Sequence, residues 1–451
     1  MEYNLGCISP VDGRYHKYTS HLKKYFSEFA FFKYRVMVEI EYFSFLKKIK
    51  LFEINLPYIE DKLRSLYITF DYDDCIKIKN IESKINHDVK SVEYFLHQQF
   101  DNIGLSGYKQ FIHFGLTSQD INNNSVTLSL KDCIEQFIIP MIKEILTHLL
   151  ELSIKWNKYK MIGHTHGQPA VPTTMGKEIQ VFHYRIKKQL KQLKNMEYYG
   201  KLGGAVGNLN AHYVSFPEYD WVNEMEQFLS LFSLKRNKLT TQIDNYENLS
   251  NIFDCLKRIN CIFVDMNRDI WHYISIDYIS QKFNKNEVGS STMPHKINPI
   301  NFENSEGNLL IANCLLNFMS EKLPVSRLQR DLTDSTILRN VGTVFGHVTI
   351  AYQNILIGLK KLDINKEMLK KDLKDNCIVI VEGLQTILRK HGYQNAYEIF
   401  KDLSRNNNKL TINDIRVFIK ELDVKESIKK ELYNVTVENY VGTSSKFSMT
   451  Y

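Results

Sequence analysis

The sequence predicts an all-α protein with three helical domains, in which a central bundle of long helices assembles with other subunits. Three observations lead to this prediction. Only 20 of the 451 residues are glycine and nine are proline, so the residues that usually end helices are scarce. Neither occurs between Asp244 and Val288, and apolar residues recur there at alternating steps of three and four, a spacing typical of a helix-bundle seam. No convincing alternation of apolar and polar residues indicates a large sheet.

The central domain is predicted to contain several long helices, and the clearest follows that apolar seam. It would be roughly 40 Å long at about 1.5 Å per residue. Helices longer than the globular average favour a bundle, and a seam of this length could also bury surface against other subunits. The seam residues are Leu249, Ile252, Leu256, Ile259, Phe263, Met266, Ile270 and Tyr273. The predicted helices span residues 125–159 (with a kink at Pro140), 177–196, 249–274, 308–322 and 348–362.

Changes in composition along the chain predict the domain boundaries. Residues 1–110 form an N-terminal helical domain of mixed short elements, which ends near a break between Gly104 and Gly107. Residues 111–364 form the central long-helix bundle. After Leu362 the chain becomes rich in lysine and aspartate, and residues 365–451 form a small C-terminal helical domain.

Composition excludes several classes of function. The net charge of +7 comes from 58 basic and 51 acidic residues that are interspersed, which indicates a solvated surface rather than a nucleic-acid-binding arm. Seven cysteines without a C-x-x-C spacing argue against a disulfide framework or a zinc site and favour a reducing compartment. Charges interrupt the most apolar segment, residues 133–152, so no membrane span is expected. We therefore expect a soluble cytoplasmic protein.

The most informative segment is the loop at residues 289–299, with the sequence GSSTMPHKINP. Gly289, Pro294 and Pro299 account for a loop, because glycine and proline end helices. A loop alone does not require a pair of serines followed by a histidine, a lysine and an asparagine. That combination could supply a nucleophile or base together with donors for a developing negative charge.

Three shorter segments are polar where a helix does not need polarity. The turn at residues 9–15 ends in Arg14 and Tyr15, and alone it is more simply interpreted as an ordinary N-terminal turn. In residues 86–88, Asp88 could cap the following helix and His87 could be structural. In residues 113–120, Thr117 or Ser118 is a candidate helix cap, with Asp120 in the first helical turn. The same hydroxyls and N–H groups could instead bind a carboxylate or phosphate.

Two further segments carry groups for proton transfer and for anion binding. His164 and His166 lie between Gly163 and Gly167, without the spacing of a metal site. A histidine on a constrained turn suits a general acid or base. Downstream, three arginines are interleaved with hydroxyls and could hold a phosphate or carboxylate. Salt bridges to Asp331 or Asp334 explain them equally well. The arginines are Arg327, Arg330 and Arg339.

Together these segments resemble the adenylosuccinate lyase family of the fumarase/aspartase superfamily. The loop at 289–299 is similar to the superfamily signature G-S-S-x-M-P-x-K-x-N-P, and His295 follows the proline. Adenylosuccinate lyases typically have histidine there, whereas fumarases have glycine, aspartases alanine and argininosuccinate lyases glutamine. The other matching blocks lie, in family order, at residues 9–15, 86–88, 117–118, 165–169 and 330–339.

The resemblance implies a β-elimination in which a C–N bond to a succinyl group breaks and fumarate leaves. Ser290 would be the base, as an alkoxide or a strongly polarised hydroxyl, and His166 would be the acid that protonates the departing nitrogen. Lys296, Asn298 and loop N–H groups would stabilise the serine anion and hold the substrate carboxylate. His87 would help to position His166 and the substrate.

The resemblance also assigns the binding of a small-molecule nucleotide substrate. Contacts with the substrate are implied for Asn86, Asp88, Thr117, Ser118, Gln242 and Asn304. The phosphate and its surroundings would be held by Arg14, Tyr15, Arg330, Ser335 and Arg339, with Thr336, Ile337 and Leu338 in the same block. The family implies no metal and no organic cofactor, and a homotetramer in which three subunits build each active site.

The sequence departs from the family at His164, where arginine commonly precedes the Thr-His pair, and residues 443–447 match weakly. Argininosuccinate lyase is the nearest alternative, but His295 and the turn at Arg14 and Tyr15 argue against it. A structural protein with a dead site is another, yet Ser290 and His166 are both present. A nucleic-acid-binding protein is a third alternative, and it would show an affinity for DNA or RNA that depends steeply on the salt concentration.

Overall fold

The computed structural model describes residues 5–54, 58–282, 293, 296–405, 410–444 and 446. Within these ranges the chain is mainly helical, which confirms the predicted all-α class. The long helices and the neighbours that bear on the site are α3 Glu28–Lys48, α4 Ile59–Ile68, α5 Tyr72–Ile85, α6 Asp88–Asn102, α7 Ser118–Cys133, α8 Ile139–Trp156, α9 Met175–Lys194, α12 Glu247–Ser275, α13 Ile300–Lys322, α14 Thr333–Leu338 and α15 Val341–Lys361. The remaining helices are α1 His16–Thr19, α2 Lys23–Phe26, α10 Asn210–Ser215, α11 Trp221–Ser230, α16 Lys366–Asp375, α17 Val381–Lys390, α18 Ala396–Arg405, α19 Ile412–Glu421 and α20 Glu426–Tyr433.

Three small two-stranded sheets accompany the helices in the described part of the chain. Strands β1 and β2 form an antiparallel hairpin, β3 and β4 pair in parallel, and β5 and β6 pair antiparallel. Their bounds are β1 Lys160–Thr165, β2 Gln168–Thr174, β3 Tyr199–Gly200, β4 Lys235–Arg236, β5 Ile279–Gln281 and β6 Leu362–Ile364. No described helix is both long enough and apolar enough to cross a membrane.

The predicted seam packs into the core. Seven of its eight apolar residues are buried in α12, from Leu249 to Ile270, and only Tyr273 is partly exposed. The predicted helix at 125–159 is interrupted, as expected near Pro140: a π-helical segment, Ile134–Ile138, separates α7 from α8. Proline has no N–H to donate to the carbonyl four residues earlier, so the helical hydrogen-bond ladder changes there.

The prediction of mixed short elements before residue 110 holds only at the start of the chain, where α1 and α2 have four residues each. Helix α3 alone has 21 residues, and it is followed by α4, α5 and α6. Apolar side chains on several faces of α3 are buried, among them Phe32, Val38 and Phe43. A helix buried on several faces carries no clear 3.6-residue period in its sequence, because the contrast between faces is lost.

The chain divides into two compact units, and each is discontinuous in sequence. The first comprises Met1–Ile142, Gln189–Cys261 and Gly307–Gln353, and the second comprises Lys143–Lys188, Ile262–Glu306 and Asn354–Tyr451. The first contains an apolar core built by α3 to α6 around Val36, Leu63 and Leu96. The second contains a core around Leu384, Ile415 and Leu432. The three-domain division at residues 110 and 364 stays a prediction.

Candidate active site

The predicted site residues fall into both units, and each set is described by itself. The first unit contains Arg14, Tyr15, Asn86, His87, Asp88, Thr117, Ser118, Gln242, Arg330, Ser335, Thr336, Ile337, Leu338 and Arg339. The second contains His166, Lys296, Asn298 and Asn304. Ser290 and His295 lie outside the described residues.

In the first unit, Asn86, His87 and Asp88 form the junction between α5 and α6. Asn86 ends α5 in the left-handed conformation, with φ 52°, which asparagine tolerates better than most residues. His87, rather than Asp88, caps α6: its Nδ1 accepts the backbone N–H of Lys90 at 3.0 Å. The ring of His87 therefore has a structural partner, and its side chain remains exposed.

Asp88 joins a half-buried arginine to an exposed one. Its Oδ2 lies 2.7 Å from Nη2 of Arg35 and 3.7 Å from Nη2 of Arg339, whose side chain is 64% exposed. Burial opposes ionisation of Asp88, but Arg35, the backbone N–H of Val89 and Arg339 outweigh it and lower the pKa of the carboxyl. Arg35 also donates from Nε to Asn122 at 2.9 Å. Asp88 is thus held as an anion between two cations.

A cavity of about 230 Å³ adjoins this group in the first unit. Its lining includes Arg35, Asp88, Arg339, Phe26 and Phe31. A cavity lined by guanidinium groups, carboxylates and aromatic rings suits a ligand with both polar and apolar parts.

Thr117 caps α7, which begins at Ser118, and Asp120 fixes that helix end. Asp120 Oδ2 accepts the backbone N–H of Thr117 at 2.9 Å, which is part of the predicted capping arrangement. The same carboxylate also pairs with Lys201 Nζ at 2.7 Å and accepts the N–H groups of Gly203 and Gly204 at 2.9 and 3.0 Å. Both charged side chains are wholly buried. Burial lowers the pKa of Lys201, and the attraction of Asp120 opposes that shift.

The structure distinguishes the three arginines for which the sequence allowed either anion binding or a salt bridge. Arg327 pairs with Asp331 at 3.1 Å, as the salt-bridge alternative predicts. Arg330 instead donates to neutral groups, namely Gln242 Oε1 at 3.1 Å and Ser335 Oγ at 3.4 Å. Its Nε is buried without a partner among the described residues. A guanidinium that hydrogen-bonds only to neutral groups, and that has an N–H donor without a partner, can still bind an anion.

The other candidate residues between 336 and 339 differ in their exposure to solvent. Thr336 and Arg339 are exposed, whereas Ile337 and Leu338 are buried. Beneath Ser335, whose N–H donates to Asp334 at 2.7 Å, the phenol of Tyr246 donates to Asp334 at 2.8 Å and accepts the amide of Asn123 at 2.7 Å. Sequence reasoning missed this buried support, since its members lie up to 211 positions apart (Asn123 to Asp334).

The turn before α1 presents Arg14 and Tyr15. The Tyr15 N–H donates to the Pro10 carbonyl at 2.9 Å, and the Arg14 guanidinium carbon lies 6.0 Å from the Tyr15 ring centre. Arg14 is exposed and Tyr15 is half-buried. The local hydrogen bond accounts for the turn, but it does not account for an exposed guanidinium beside a phenol.

A second group that the sequence analysis did not select lies under the loop that precedes Thr117. Glu39 is buried and contacts His113 Nδ1 at 2.6 Å. The attraction of Glu39 overcomes burial and raises the pKa of His113. Tyr42 donates to the Phe114 carbonyl at 3.0 Å and contacts His212 Nε2 at 2.8 Å. Burial lowers the pKa of His212 to about 4, so this ring is neutral at pH 7.

In the second unit, His166 stands at the tip of the β1–β2 hairpin. Thr165 pairs with Gln168, which leaves His166 and Gly167 as a two-residue loop. Both have positive φ, 53° and 72°, the pattern of the type I′ turn that suits the twist of a hairpin. His166 is exposed, and no described group hydrogen-bonds to its ring. The structure therefore holds this histidine through its backbone, at the point of a turn.

The other predicted residues of the second unit lie around the start of α13. Lys296 is exposed and its N–H donates to the Met293 carbonyl at 3.0 Å; Asn298 is half-buried and directly precedes Pro299. Asn304 lies in the second turn of α13. An open groove runs along the hairpin, lined by residues that include His164, Glu178 and Asp269. The described part of the chain contains no group of three or more His, Cys, Asp or Glu side chains arranged to hold a metal ion.

Comparisons with known proteins agree along nearly the whole chain. Two family models match, one described as Lyase over residues 13–312 and one described as Adenylosuccinate lyase C-terminal over residues 326–441. An adenylosuccinate lyase of Dictyostelium discoideum is 48% identical, with 98% of each chain covered. One of Escherichia coli strain K12 is 41% identical, with 97% of each covered.

Among solved structures, the 3-carboxy-cis,cis-muconate lactonizing enzyme from Pseudomonas putida matches with a TM-score of 0.75 at 16% identity, covering 96% of this chain and 97% of that one. A fumarate lyase from Mesorhizobium sp. BNC1 matches with a TM-score of 0.74 at 15% identity, covering 95% and 96%. Identity this low supports a shared fold and carries no argument about substrate.

Proposed function

This chain belongs to the adenylosuccinate lyase family, and we propose that it cleaves adenylosuccinate to AMP and fumarate in purine nucleotide biosynthesis. The same site would cleave SAICAR to AICAR and fumarate, because both substrates present a succinyl group on nitrogen. The observation that carries the proposal is the 48% identity to an adenylosuccinate lyase over 98% of both chains.

The reaction needs a base for a weakly acidic proton. That proton is lost from the carbon beside a carboxylate, so negative charge develops on the carboxylate oxygens and must be stabilised. We assign the base to Ser290. An ordinary serine is too weakly acidic for this role, so its surroundings must favour the anion. Lys296 and Asn298 supply a cation and an amide close by in sequence.

We assign the general acid to His166. Cleavage of the C–N bond leaves charge on the departing nitrogen, which a proton donor neutralises. Histidine exchanges protons near neutral pH more readily than other side chains. The position of His166 at an exposed hairpin tip, without a competing hydrogen bond from a described group, supports the assignment.

The nucleotide would be held by the groups of the first unit. Arg330, with its buried and unpartnered Nε, and Arg339, which is largely exposed, supply charged donors for a phosphate. Ser335 adds a hydroxyl within 3.4 Å of Arg330. Arg14 and Tyr15, together with Asn86, Asp88, Thr117 and Ser118, would add further contacts from the same unit. Asn304 of the second unit would complete the contacts with the substrate.

We also propose a cytoplasmic homotetramer with shared active sites. Large apolar side chains on the long helices are exposed in the isolated chain, including Tyr184 at 51%, Leu310 at 47% and Phe318 at 51%. Exposed apolar groups on such helices support burial against other subunits. All seven cysteines are free thiols, which supports a reducing compartment.

The assay follows the ultraviolet difference as the purine substituent leaves, with each substrate in turn. Turnover of adenylosuccinate is expected. Folded, tetrameric protein that turns over neither substrate would reject the proposed function.

Ser290→Ala tests the base. It should lower kcat by at least about 100-fold with substrate binding retained, because the lost group acts in proton transfer. The neighbouring Ser291→Ala is the matched control and should stay within about threefold of the unchanged protein. Near-normal turnover in Ser290→Ala would remove that residue from its role.

A further inference from the structure

The buried pair of Asp120 and Lys201 does more than cap a helix. A capping residue needs to accept one or two N–H groups of its own helix end, and Asp120 does this for Thr117. Yet the same carboxylate also accepts hydrogen bonds from Lys201 Nζ and from two glycine N–H groups that lie 83 and 84 positions further along the chain. One side chain therefore ties two distant loops together.

Energetics argue against stability as the reason for the pair. Both side chains have no exposed surface. Taking two charges out of water is costly, and replacing a buried ion pair by apolar residues is often neutral or stabilising. A pair at such a position is better explained by the geometry that it enforces.

The second loop continues to residues that we assign to the substrate. Lys201 Nζ also donates to the Gly204 carbonyl at 2.8 Å. Gly207 has φ 89°, and a Cβ there would lie 2.0 Å from the Thr240 carbonyl oxygen, so the loop packs directly against the backbone before Gln242. Gln242 Nε2 donates to the Ala205 carbonyl at 3.1 Å, while its Oε1 accepts from Arg330.

We infer that Asp120 is a positioning residue for the lyase reaction, and that Lys201 holds its carboxylate in place. Through Thr117 it sets the start of α7, and through Gly203 and Gly204 it sets the loop that supports Gln242 and Arg330. The two sets of substrate contacts are thereby held in one fixed spacing. The inference rests on the proposed function, since it concerns the same site.

The test compares three variants in the full-length protein. Asp120→Asn replaces one of the two acceptor oxygens with an NH2 donor and removes the charge that pairs with Lys201. It should lower kcat/KM of the folded enzyme about 100-fold, the loss expected for a displacement of about 1 Å at a site. Lys201→Met leaves the three backbone N–H groups on Asp120, so its loss should stay within about tenfold. The double variant Asp120→Asn/Lys201→Met removes the unpaired buried cation as well. It should recover thermal stability while keeping the 100-fold defect.

Tyr352→Phe is the control for stability alone. It removes a buried hydrogen bond of 2.8 Å to Asn260 in the same unit, so Tm should fall while kcat/KM of the folded fraction is unchanged. The positioning role is overturned if Asp120→Asn keeps kcat/KM within about threefold, or if the double variant regains activity together with stability. The double variant carries the same test should Asp120→Asn fail to fold.

A measurement without substrate separates this inference from the proposed function. Amide hydrogen exchange over residues 113–120 and 201–209 should rise in Asp120→Asn and much less in Lys201→Met. Unchanged exchange in Asp120→Asn would overturn the tie between the loops. An unaltered protein that lacks lyase activity, with the exchange result as expected, would instead reject the proposed function.

Discussion

The two sets of candidate site residues are held in opposite ways. In the first unit, the Asp120 carboxylate has four donors, and Arg330 is braced by Gln242 and Ser335. In the second, His166 is set by two positive φ angles in a hairpin turn. The difference teaches that the groups proposed for binding are fixed by their hydrogen-bond partners, whereas the group proposed for proton transfer is fixed by its backbone alone. Substitutions should therefore affect binding in one region and rate in the other.

The largest effect is expected at the hairpin. His166→Gln should lower kcat by about 10²–10⁴-fold, the usual contribution of general acid catalysis, while substrate binding stays close to normal. Steady-state kinetics with adenylosuccinate and a binding titration check this. His164→Gln is the matched control two residues earlier on the same hairpin, and its kcat should change by less than about fivefold. Equal losses in the two variants would remove the special role of His166.

An intermediate effect is expected at Arg330. Arg330→Ala should mainly raise KM, by about 10–100-fold, since a hydrogen bond to a charged group contributes about 1.5–3 kcal/mol. Arg327→Ala, which removes only an exposed ion pair with Asp331, should leave KM nearly unchanged. Initial-rate kinetics and thermal melts distinguish the outcomes. A lower Tm with unaltered KM in Arg330→Ala would show a purely structural role.

The smallest effect concerns stability in the first unit. Burial lowers the pKa of His212 to about 4. Between about pH 6.5 and pH 4, His212 is therefore protonated in the unfolded chain but neutral in the folded chain. Stability should therefore fall as pH drops through that window, by up to roughly 3 kcal/mol for this group. His212→Gln should show a shallower loss in urea unfolding between about pH 7 and pH 4.5. An identical slope would assign the pH dependence to other groups.

Periodicity predicted the helices that have one apolar face and one exposed face. The seam of α12 was readable because its exposed positions, such as Arg258 and Arg268, alternate with buried ones. Helix α3 could not be predicted from apolar periodicity, because side chains on several of its faces are buried. The start of α13 at Ile300 was also missed, although Pro299 directly before it is a residue that favours a helix start.

Motifs predicted the site residues that lie close together in sequence, and the structure supplied their supports. Thr117 or Ser118 was predicted as a helix cap, with Asp120 in the first turn, and the structure has Thr117 as the cap. Nothing in the sequence joins Asp120 to Lys201, or Tyr246 to Asp334, because such pairs depend on how distant segments pack. The three arginines looked alike in sequence, and only their partners separated Arg327 from Arg330.

The complete enclosure of Lys201 has a practical consequence. Its ammonium group has no exposed surface, whereas most lysines of a folded protein are open to solvent. An amine-acylating reagent can therefore reach Lys201 only when the surrounding loops part. The rate at which this one lysine is labelled, followed by mass spectrometry, would report how often the loops around Lys201 open.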